Sequence, residues 1–300
     1  MRDPIKGVLA MVVACTIWGL SPLFWALLSH VPSTLVIGYR TLWSLMFFAA
    51  VLAAQGRLGL LLGAVRNPRS FLIILAAGVM IASNWLTFIS AIHNGRGVEA
   101  SLGYYIFPLV AVLLGRVAFG EALARSQWVA VGLAACAVLT LTIGLGVPPW
   151  ISLILGVTFG LYGLIKKSLD LGPVVSVTAE VLLLAPFAIA YIAFAGQPLD
   201  MHTHLLLALS GPFTAIPLIL FSYAARRVRL STIGLTQYLN PTLQFFIAVF
   251  VFAEPFTPWH AIAFPLIWAA LAIYSVAALR QDRASRRVVS NAATSGTIEM

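Results

Sequence analysis

The stretch LGYYIFPLV at residues 102–110 returns 133 residues later as LTQYLNPTL at 235–243. The match extends outward from both segments, since 10 of the 44 positions from 78 to 121 meet an identical residue at that offset without a gap. Nearer the N-terminus the offset becomes 141, where Gly19 and Pro32 meet Gly160 and Pro173. We interpret the chain as two copies of one structural unit.

The composition places both copies in a membrane. Of the 300 residues, 61% are hydrophobic and 9% are charged, whereas a soluble globular chain is roughly 45–50% apolar and 25% charged. A soluble fold of this composition would expose too much apolar surface to water, which excludes a soluble enzyme, a disordered chain and a coiled coil. Because open sheet edges cannot face lipid, the predicted fold class is an all-α polytopic membrane protein.

Ten apolar stretches are long enough to cross a bilayer core of about 30 Å, which takes about 20 helical residues. They lie at 7–29, 33–54, 70–92, 97–115, 126–146, 149–167, 174–195, 204–225, 231–252 and 258–279. The first stretch lacks a small-residue cleavage site and is expected to remain a transmembrane helix rather than a removed signal peptide. The predicted domains are a first repeat of five helices at 1–146, a second at 147–280, and a disordered cytoplasmic tail at 281–300.

The odd number of helices in each copy determines how the copies are related. A five-helix unit begins on one side of the membrane and ends on the other, so the second copy is inverted, as in many secondary transporters. With the N-terminus cytoplasmic, 16 of the 18 Lys and Arg residues fall on the cytoplasmic side, as positive charge in membrane proteins usually does. Both termini are therefore expected inside. The net charge of +9 is a topology signal rather than a nucleic-acid footprint.

Charged and amide side chains within the spans are candidates for function, because a charge at the bilayer centre costs roughly 2.5–3.5 kcal/mol. Arg40, Asn84 and Glu99 lie towards the outer ends of their spans, and Glu180 aligns within one position of Arg40 in the repeat. Three interpretations of Arg40 remain open: it attracts a substrate carboxylate, its side chain snorkels to the membrane interface, or it forms a structural ion pair with Glu99. Glu99 and Glu180 are both candidate proton carriers, since an apolar site favours the neutral form of a carboxylate. The alternative for Glu180 is a structural hydrogen bond within the bundle.

The repeated segments supply a second group of candidates. Pro108 and Pro241 lie near mid-membrane, and a proline leaves the carbonyl four residues earlier without its helical donor. Those carbonyls belong to Tyr104 and Gln237. We predict a polar belt at this depth that also contains the neighbouring side chains Tyr105, Tyr238, Asn240 and Gln244. The alternative is that the prolines only kink helices packed through aromatic rings.

Aromatic residues in the same spans could form an apolar wall around that belt, and Trp85 is the best candidate among the tryptophans. The others are Trp18, Trp25, Trp43, Phe88, Tyr104 and Tyr162. Tryptophans in membrane proteins more often lie at the lipid interface or in packing positions.

Several enzymatic signatures are missing from the sequence. It contains no GxxxxGK[ST] phosphate loop, no HExxH and no GxSxG, so neither an ATP-driven motor nor a hydrolase is indicated. Asp200, His202 and His204 alternate in a predicted outer loop, but they are too few for a metal site. We predict no cofactor and no metal.

Several segments resemble the EamA-like family of the drug/metabolite transporter superfamily, and specifically its RarD group. The segments are WGLSPLFW at 18–25, YRTLWS at 39–44, NWLTFISAI at 84–92, VEASLGYYIFPL at 98–109, FGE at 119–121, and RLSTIGLTQYLNPTLQFFIAVFVFAE at 229–254. The resemblance implies ten helices, two EamA repeats and transport of metabolites or drugs. The chain departs from the group's usual pattern at Tyr39, Phe107 and Ala253, where the group has His, Asn and Gly.

We therefore predict a permease of the bacterial inner membrane that works by alternating access. Its partners would be the lipid bilayer and a small metabolite, amino-acid-like compound or drug, with proton coupling left open and no nucleic acid or ATPase subunit implied. The predicted substrate-binding residues are Arg40, Asn84, Trp85, Glu99, Tyr104, Tyr105, Glu180, Gln237, Tyr238 and Asn240. The alternatives are a membrane enzyme or lipid-handling protein without coupled transport, and a sensor subunit that transports nothing.

Overall fold

The computed structural model describes residues 2–119, 124–146, 149–167, 169, 171–225, 227 and 236–295. Every regular element within these ranges is a helix. The helices are α1 (Arg2–Ala26), α2 (Ser33–Ala54), α3 (Leu58–Arg66), α4 (Pro68–His93), α5 (Gly97–Phe119), α6 (Arg125–Leu145), α7 (Trp150–Lys167), α8 (Pro173–Ala195), α9 (Met201–Ala225), α10 (Leu239–Phe246) and α11 (Pro258–Ser295). A π-helical turn, Ile247–Val251, continues α10.

The predicted all-α polytopic class is confirmed. Eight helices in the described ranges are long and apolar enough to cross a membrane, and two further apolar helices, Trp150–Lys166 and Leu239–Val251, are shorter. The predicted span at 231–252 begins in residues that lie outside the described part of the chain. The count of ten membrane crossings therefore stays a prediction.

Two helical segments differ from the sequence-based expectation. The nine-residue helix α3 was not predicted, because it is too short to span a bilayer; its Leu61 and Ala64 pack against Ala179 of α8. The backbone of α11 is helical to Ser295, whereas a disordered tail was predicted at 281–300. The physical reason is that no Gly or Pro lies between Pro265 and Gly296 to end the helix.

The helix packing has a paired pattern. Helix α5 packs against α7 as α1 packs against α10, and α4 packs against α7 as α1 packs against α9. Helices α2 and α8 pack against each other, as do α6 and α11. If each of the first five predicted spans is matched with its counterpart among the last five, the contact of α5 with α7 corresponds to that of α10 with α1, and the contact of α4 with α7 corresponds to that of α9 with α1. The α2–α8 and α6–α11 contacts each correspond to themselves. Two related halves would produce this pattern, although the division into repeats stays a prediction.

The same pairing extends to two glycines that matched each other in the sequence. A Cβ atom on Gly19 of α1 would lie 2.7 Å from Leu243 Cβ of α10, and one on Gly160 of α7 would lie 3.3 Å from Val110 Cγ1 of α5. Leu243 and Val110 are themselves partners at the 133-residue offset. Small residues at such points let helix backbones approach closely in a membrane.

The buried apolar residues form several clusters, of which one lies at one end of the bundle and another to one side. We call the end where α1 finishes and α2 begins the distal end, and the opposite end the terminal end. A continuous cluster, here the distal cluster, fills the distal end and includes Trp25, Leu28, Val36, Phe88 and Leu207. The buried clusters towards the terminal end are smaller. A separate core among α5, α6, α10 and α11 lies to one side.

A buried carboxylate also joins the two halves at the distal end. Glu254 accepts hydrogen bonds from the backbone N–H groups of Gly97 (2.7 Å) and Val98 (2.8 Å) at the start of α5. Free N–H groups and the helix dipole make a helix N-terminus favourable for a negative charge. The preceding Ala253 has φ of +52°, in the left-handed region that favours glycine. A glycine, which the resemblance drawn from the sequence leads us to expect at this position, would adopt that φ without strain.

Candidate functional site

A cavity of about 400 Å³ lies inside the bundle, within the range of roughly 300–1,000 Å³ typical of small-molecule sites. Helices of both halves contribute to it, and aromatic rings dominate its wall. These rings belong to Trp18, Trp25, Trp85, Phe88, Tyr104, Phe107, Phe159, Tyr162, Phe213 and Phe221. The distal cluster closes the cavity where it shares Trp25 and Phe88 with the wall.

Arg40 is a buried cation in the wall of this cavity, with 7% of the residue exposed. Its guanidinium carbon lies 3.9 Å from the ring centroid of Trp85 and 4.9 Å from that of Trp25. Its Nε donates a hydrogen bond to Thr214 Oγ1 at 3.0 Å. Ring faces attract a cation but do not neutralise it. Among the described residues, no carboxylate forms a salt bridge with Arg40.

Asn84 lies behind the cavity wall and orients a residue that forms it. The hydroxyl of Tyr104 donates to Asn84 Oδ1 at 2.9 Å. The Asn84 amide in turn donates to Leu155 O and Thr158 Oγ1, both at 3.0 Å. Asn84 is buried and is absent from the cavity lining, whereas Tyr104 is part of it. Asn84 thus connects α4, α5 and α7.

A buried ion pair lies towards the terminal end of the cavity. Lys166 Nζ lies 2.6 Å from Glu180 Oε1, with side-chain exposures of 21% and 1%. The Tyr162 hydroxyl donates to Glu180 Oε2 at 3.1 Å, and Ser176 Oγ donates to Glu180 Oε1 at 3.0 Å. Lys166 and Tyr162 line the cavity, and Glu180 lies behind them. This network joins α7 to α8.

The predicted polar belt is divided between the cavity and the neighbouring core. Gln237 and Asn240 line the cavity, as does Gln244, which donates to Asn240 Oδ1 at 2.9 Å. Tyr105 and Tyr238 are absent from the lining and pack into the core among α5, α6, α10 and α11. Consecutive residues on a helix point about 100° apart, so Tyr104 and Tyr105 face different surroundings.

Glu99 lies at the distal end, away from the cavity lining. Its carboxylate pairs with Arg96 at 2.7 Å, and the Arg96 side chain is 46% exposed. The ion pair between Arg40 and Glu99 that the sequence left open is not formed. Arg96 is three residues before Glu99, so the two side chains share one face at the start of α5.

The structure adds residues that sequence reasoning missed. Lys166 had been counted only as a cytoplasmic charge, and Phe159, Phe213 and Thr214 had not been singled out. The sequence gives little indication that Phe159 and Phe213 face a cavity, because apolar side chains occur on every face of a membrane helix. Trp43, by contrast, belongs to a separate depression with Met46 and Phe47.

Comparison with known proteins agrees with this architecture. The model of the EamA-like transporter family matches residues 5–143. Protein RarD of Streptomyces exfoliatus is 44% identical over 294 residues, covering 96% of this chain and 93% of that protein. YojE of Bacillus subtilis, named an uncharacterized transporter, is 39% identical over 289 residues, covering 94% of this chain and 97% of that protein. One solved crystal structure shares the fold, with a TM-score of 0.60 at 18% identity over 92% of this chain and 98% of that one.

The helical bundle and its internal cavity are those of a multi-pass membrane transporter. More particularly, the chain belongs to the EamA-like transporter family, in the RarD group of the drug/metabolite transporter superfamily. The resemblance drawn from the sequence is thereby confirmed.

Proposed function

We propose that this protein is a secondary transporter of the bacterial inner membrane that moves a small organic molecule by alternating access. The observation that carries the proposal is the cavity, which is lined by both halves of the chain and contains a buried cation. Binding sites of secondary transporters lie near the bilayer midplane, where two repeats meet. Arg40, Trp85, Tyr104, Gln237 and Asn240 are the predicted residues that line it.

The two ends of the cavity support a rocking mechanism. The distal end is held closed by the distal cluster and by the hydrogen bonds from Gly97 and Val98 to Glu254. Opening it requires these contacts between halves to separate while the terminal end closes. The close contacts of Gly19 with Leu243 and of Gly160 with Val110 are suitable points for the halves to pivot.

Coupling to protons would run through Glu180 rather than Glu99. The Glu180 carboxylate is buried and contacts Lys166 and Tyr162 of the cavity wall. Protonating Glu180 would break its pairing with Lys166 and change the charge in the cavity. Glu99 is paired with a half-exposed arginine at the distal end, where its charge state has no direct contact with the cavity.

Purified protein in sealed vesicles tests the proposal. Candidate metabolites should accumulate when a proton gradient is imposed, and empty vesicles should not take them up. Glu180→Gln should lose gradient-driven accumulation and keep exchange of substrate at equal pH, with Glu99→Gln as the matched control that keeps both. Unchanged accumulation by Glu180→Gln would remove Glu180 from coupling, and the absence of uptake or exchange for any candidate would contradict transport.

Mapping the termini provides an independent check. Tags placed before residue 1 and after residue 300 should both be accessible from the cytoplasmic side only. Tags that appear on opposite sides would contradict the even number of crossings on which the inverted repeat depends.

A further inference from the structure

The charges around the cavity do not balance. Two cationic side chains, Arg40 and Lys166, belong to its lining. Lys166 is neutralised by Glu180 at 2.6 Å, whereas Arg40 contacts two indole rings and a neutral hydroxyl. In the described part of the chain the cavity therefore carries one net positive charge, and a ligand with one negative charge would neutralise it.

The contacts of Arg40 leave its end free. A guanidinium has five N–H donors in a planar fork, and only Nε donates to a described residue, Thr214. The rings of Trp25 and Trp85 lie against the group and hold it in place. The two terminal nitrogens remain as paired donors, which is the geometry that binds a carboxylate through both oxygens.

The remainder of the wall suits a flat apolar body. Tyr104 forms edge-to-face contacts with both Phe88 and Phe159, which support its position. Phe213 approaches from α9, stacked on Phe24. Flat rings pack well against such a wall. Among the described lining residues there is no acidic side chain, so an ammonium group would meet ring faces and neutral side chains such as Gln237 and Asn240 but no negative charge to neutralise it. The charge of the wall therefore favours a carboxylate over an amine or a zwitterion.

We propose that the cavity selects monoanionic carboxylates with a flat apolar body, with Arg40 binding the carboxylate and the surrounding rings binding the body. This substrate class rests on the proposed transport function. It goes further, because it excludes cations, neutral compounds and zwitterions of the same shape as preferred substrates.

Four probes with one carbon skeleton test the proposal. They are 3-phenylpropanoate, L-phenylalanine (which adds an ammonium group), 3-phenylpropanamide (neutral) and 3-phenylpropylamine (cationic). Each is titrated into the purified full-length protein in lipid nanodiscs, with tryptophan fluorescence as the readout, since Trp25 and Trp85 contact Arg40. Saturable binding is expected for 3-phenylpropanoate, at an affinity at least tenfold above the other three; that ratio corresponds to about 1.4 kcal/mol.

Substitutions of Arg40 then locate the effect. Arg40→Gln should weaken 3-phenylpropanoate binding by about 10- to 100-fold, the loss expected for a hydrogen bond between charged groups. Arg40→Lys should recover part of that affinity, because it keeps the charge without the planar fork. Arg69→Gln, at an exposed position outside the cavity lining, is the matched control and should bind as the unsubstituted protein does. Monodisperse elution of each variant on size exclusion checks that it is folded.

The outcomes separate this inference from the proposed function. Binding of the amide, the amine or phenylalanine as tightly as the carboxylate would overturn the inference, and so would unchanged affinity in Arg40→Gln. The absence of saturable binding by 3-phenylpropanoate would overturn it as well. Uptake of a neutral or cationic compound in the vesicle assay would support the transport function and contradict the carboxylate substrate class. Binding of the carboxylate without any flux would support the substrate class of the cavity and contradict transport.

Discussion

Arg40 and Lys166 are two cations that line the same cavity, but among the described residues only Lys166 has a carboxylate partner. Lys166 has a carboxylate at 2.6 Å, and that carboxylate accepts further hydrogen bonds from Tyr162 and Ser176. Arg40 is more deeply buried, and its contacts with the described residues are two ring faces and the Thr214 hydroxyl. Removing one partner of a buried ion pair lowers the stability of the folded protein, because the other charge is left buried without compensation. A buried charge that has no partner to begin with already lowers stability, so removing it should not.

The difference separates a structural charge from one available to a ligand. The charge of Lys166 is compensated within the protein, and its ion pair with Glu180 links α7 to α8. In the substrate class proposed above, the charge of Arg40 is compensated by the carboxylate of the ligand. The four predictions below test this distinction through stability, in order of decreasing effect.

The largest effect is expected for Lys166→Met, which leaves Glu180 buried without its cation. The loss of stability should be about 3 kcal/mol, at the low end for breaking a buried pair because Lys166 is partly open to the cavity. Thermal unfolding in detergent, followed by intrinsic fluorescence, should show a clearly lower Tm. The double variant Lys166→Met with Glu180→Leu should recover most of it. Arg96→Met, which breaks the half-exposed pair with Glu99, is the matched control and should change stability by less than about 1 kcal/mol.

Tyr162→Phe should give the next largest effect, because it removes the hydrogen bond that the Tyr162 hydroxyl donates to Glu180. A hydrogen bond to a charged group contributes about 1.5 kcal/mol or more, so the Tm should fall by less than in Lys166→Met. Tyr191→Phe, which removes an exposed hydrogen bond to Thr34, is the control. Equal Tm values for the two variants would show that Tyr162 does not support the pair.

Trp85→Phe should have a smaller effect on stability. Phe keeps a ring beside Arg40 but attracts a cation less than Trp does, and the expected loss is about 0.5–1 kcal/mol. The same unfolding measurement applies, with Trp128→Phe at an exposed position as control. A loss as large as that of Lys166→Met would mean that Trp85 has a packing role beyond its contact with Arg40.

The smallest effect is expected for Arg40→Met. It removes a buried charge and leaves no carboxylate unpaired among the described residues, and the Thr214 hydroxyl keeps its hydrogen bond to Ser210 O. Stability should therefore be unchanged or slightly higher. This is the opposite of the result expected for Lys166→Met, although both changes replace a long cation with methionine. A fall in Tm comparable to that of Lys166→Met would show that Arg40 is a structural charge, and the contrast between the two would fail.

The sequence predicted the fold better than the site. Long apolar runs specify membrane helices almost without reference to their neighbours, and α1, α4 and α8 appear where the runs are. Helix α3 was not predicted because the search was for segments long enough to span a bilayer, and α3 has nine residues. Its role depends on the packing of Leu61 and Ala64 against α8, which a local pattern does not contain.

The site was harder to predict because a membrane helix is apolar all round. Periodicity then does not reveal which face is turned inward, and Tyr104 and Tyr105 were equivalent in the sequence although only Tyr104 lines the cavity. Arg40 was found because a charge within a span is costly. Lys166 was missed because a lysine at the end of a span is ordinary, and its pairing with Glu180 follows only from the tertiary arrangement in which α7 and α8 both pack against α4.

The close contacts at Gly19 and Gly160 affect how a mutational screen of this protein should be interpreted. Any side chain at Gly19 would collide with Leu243, so substitutions there should inactivate the protein as thoroughly as substitutions at the ligand site. Drug-resistance or loss-of-uptake alleles at Gly19 would therefore give no information on which compound is carried, whereas Gly160, with Leu114 Cδ1 at 3.0 Å and Val110 Cγ1 at 3.3 Å from a Cβ atom, should tolerate a small side chain better.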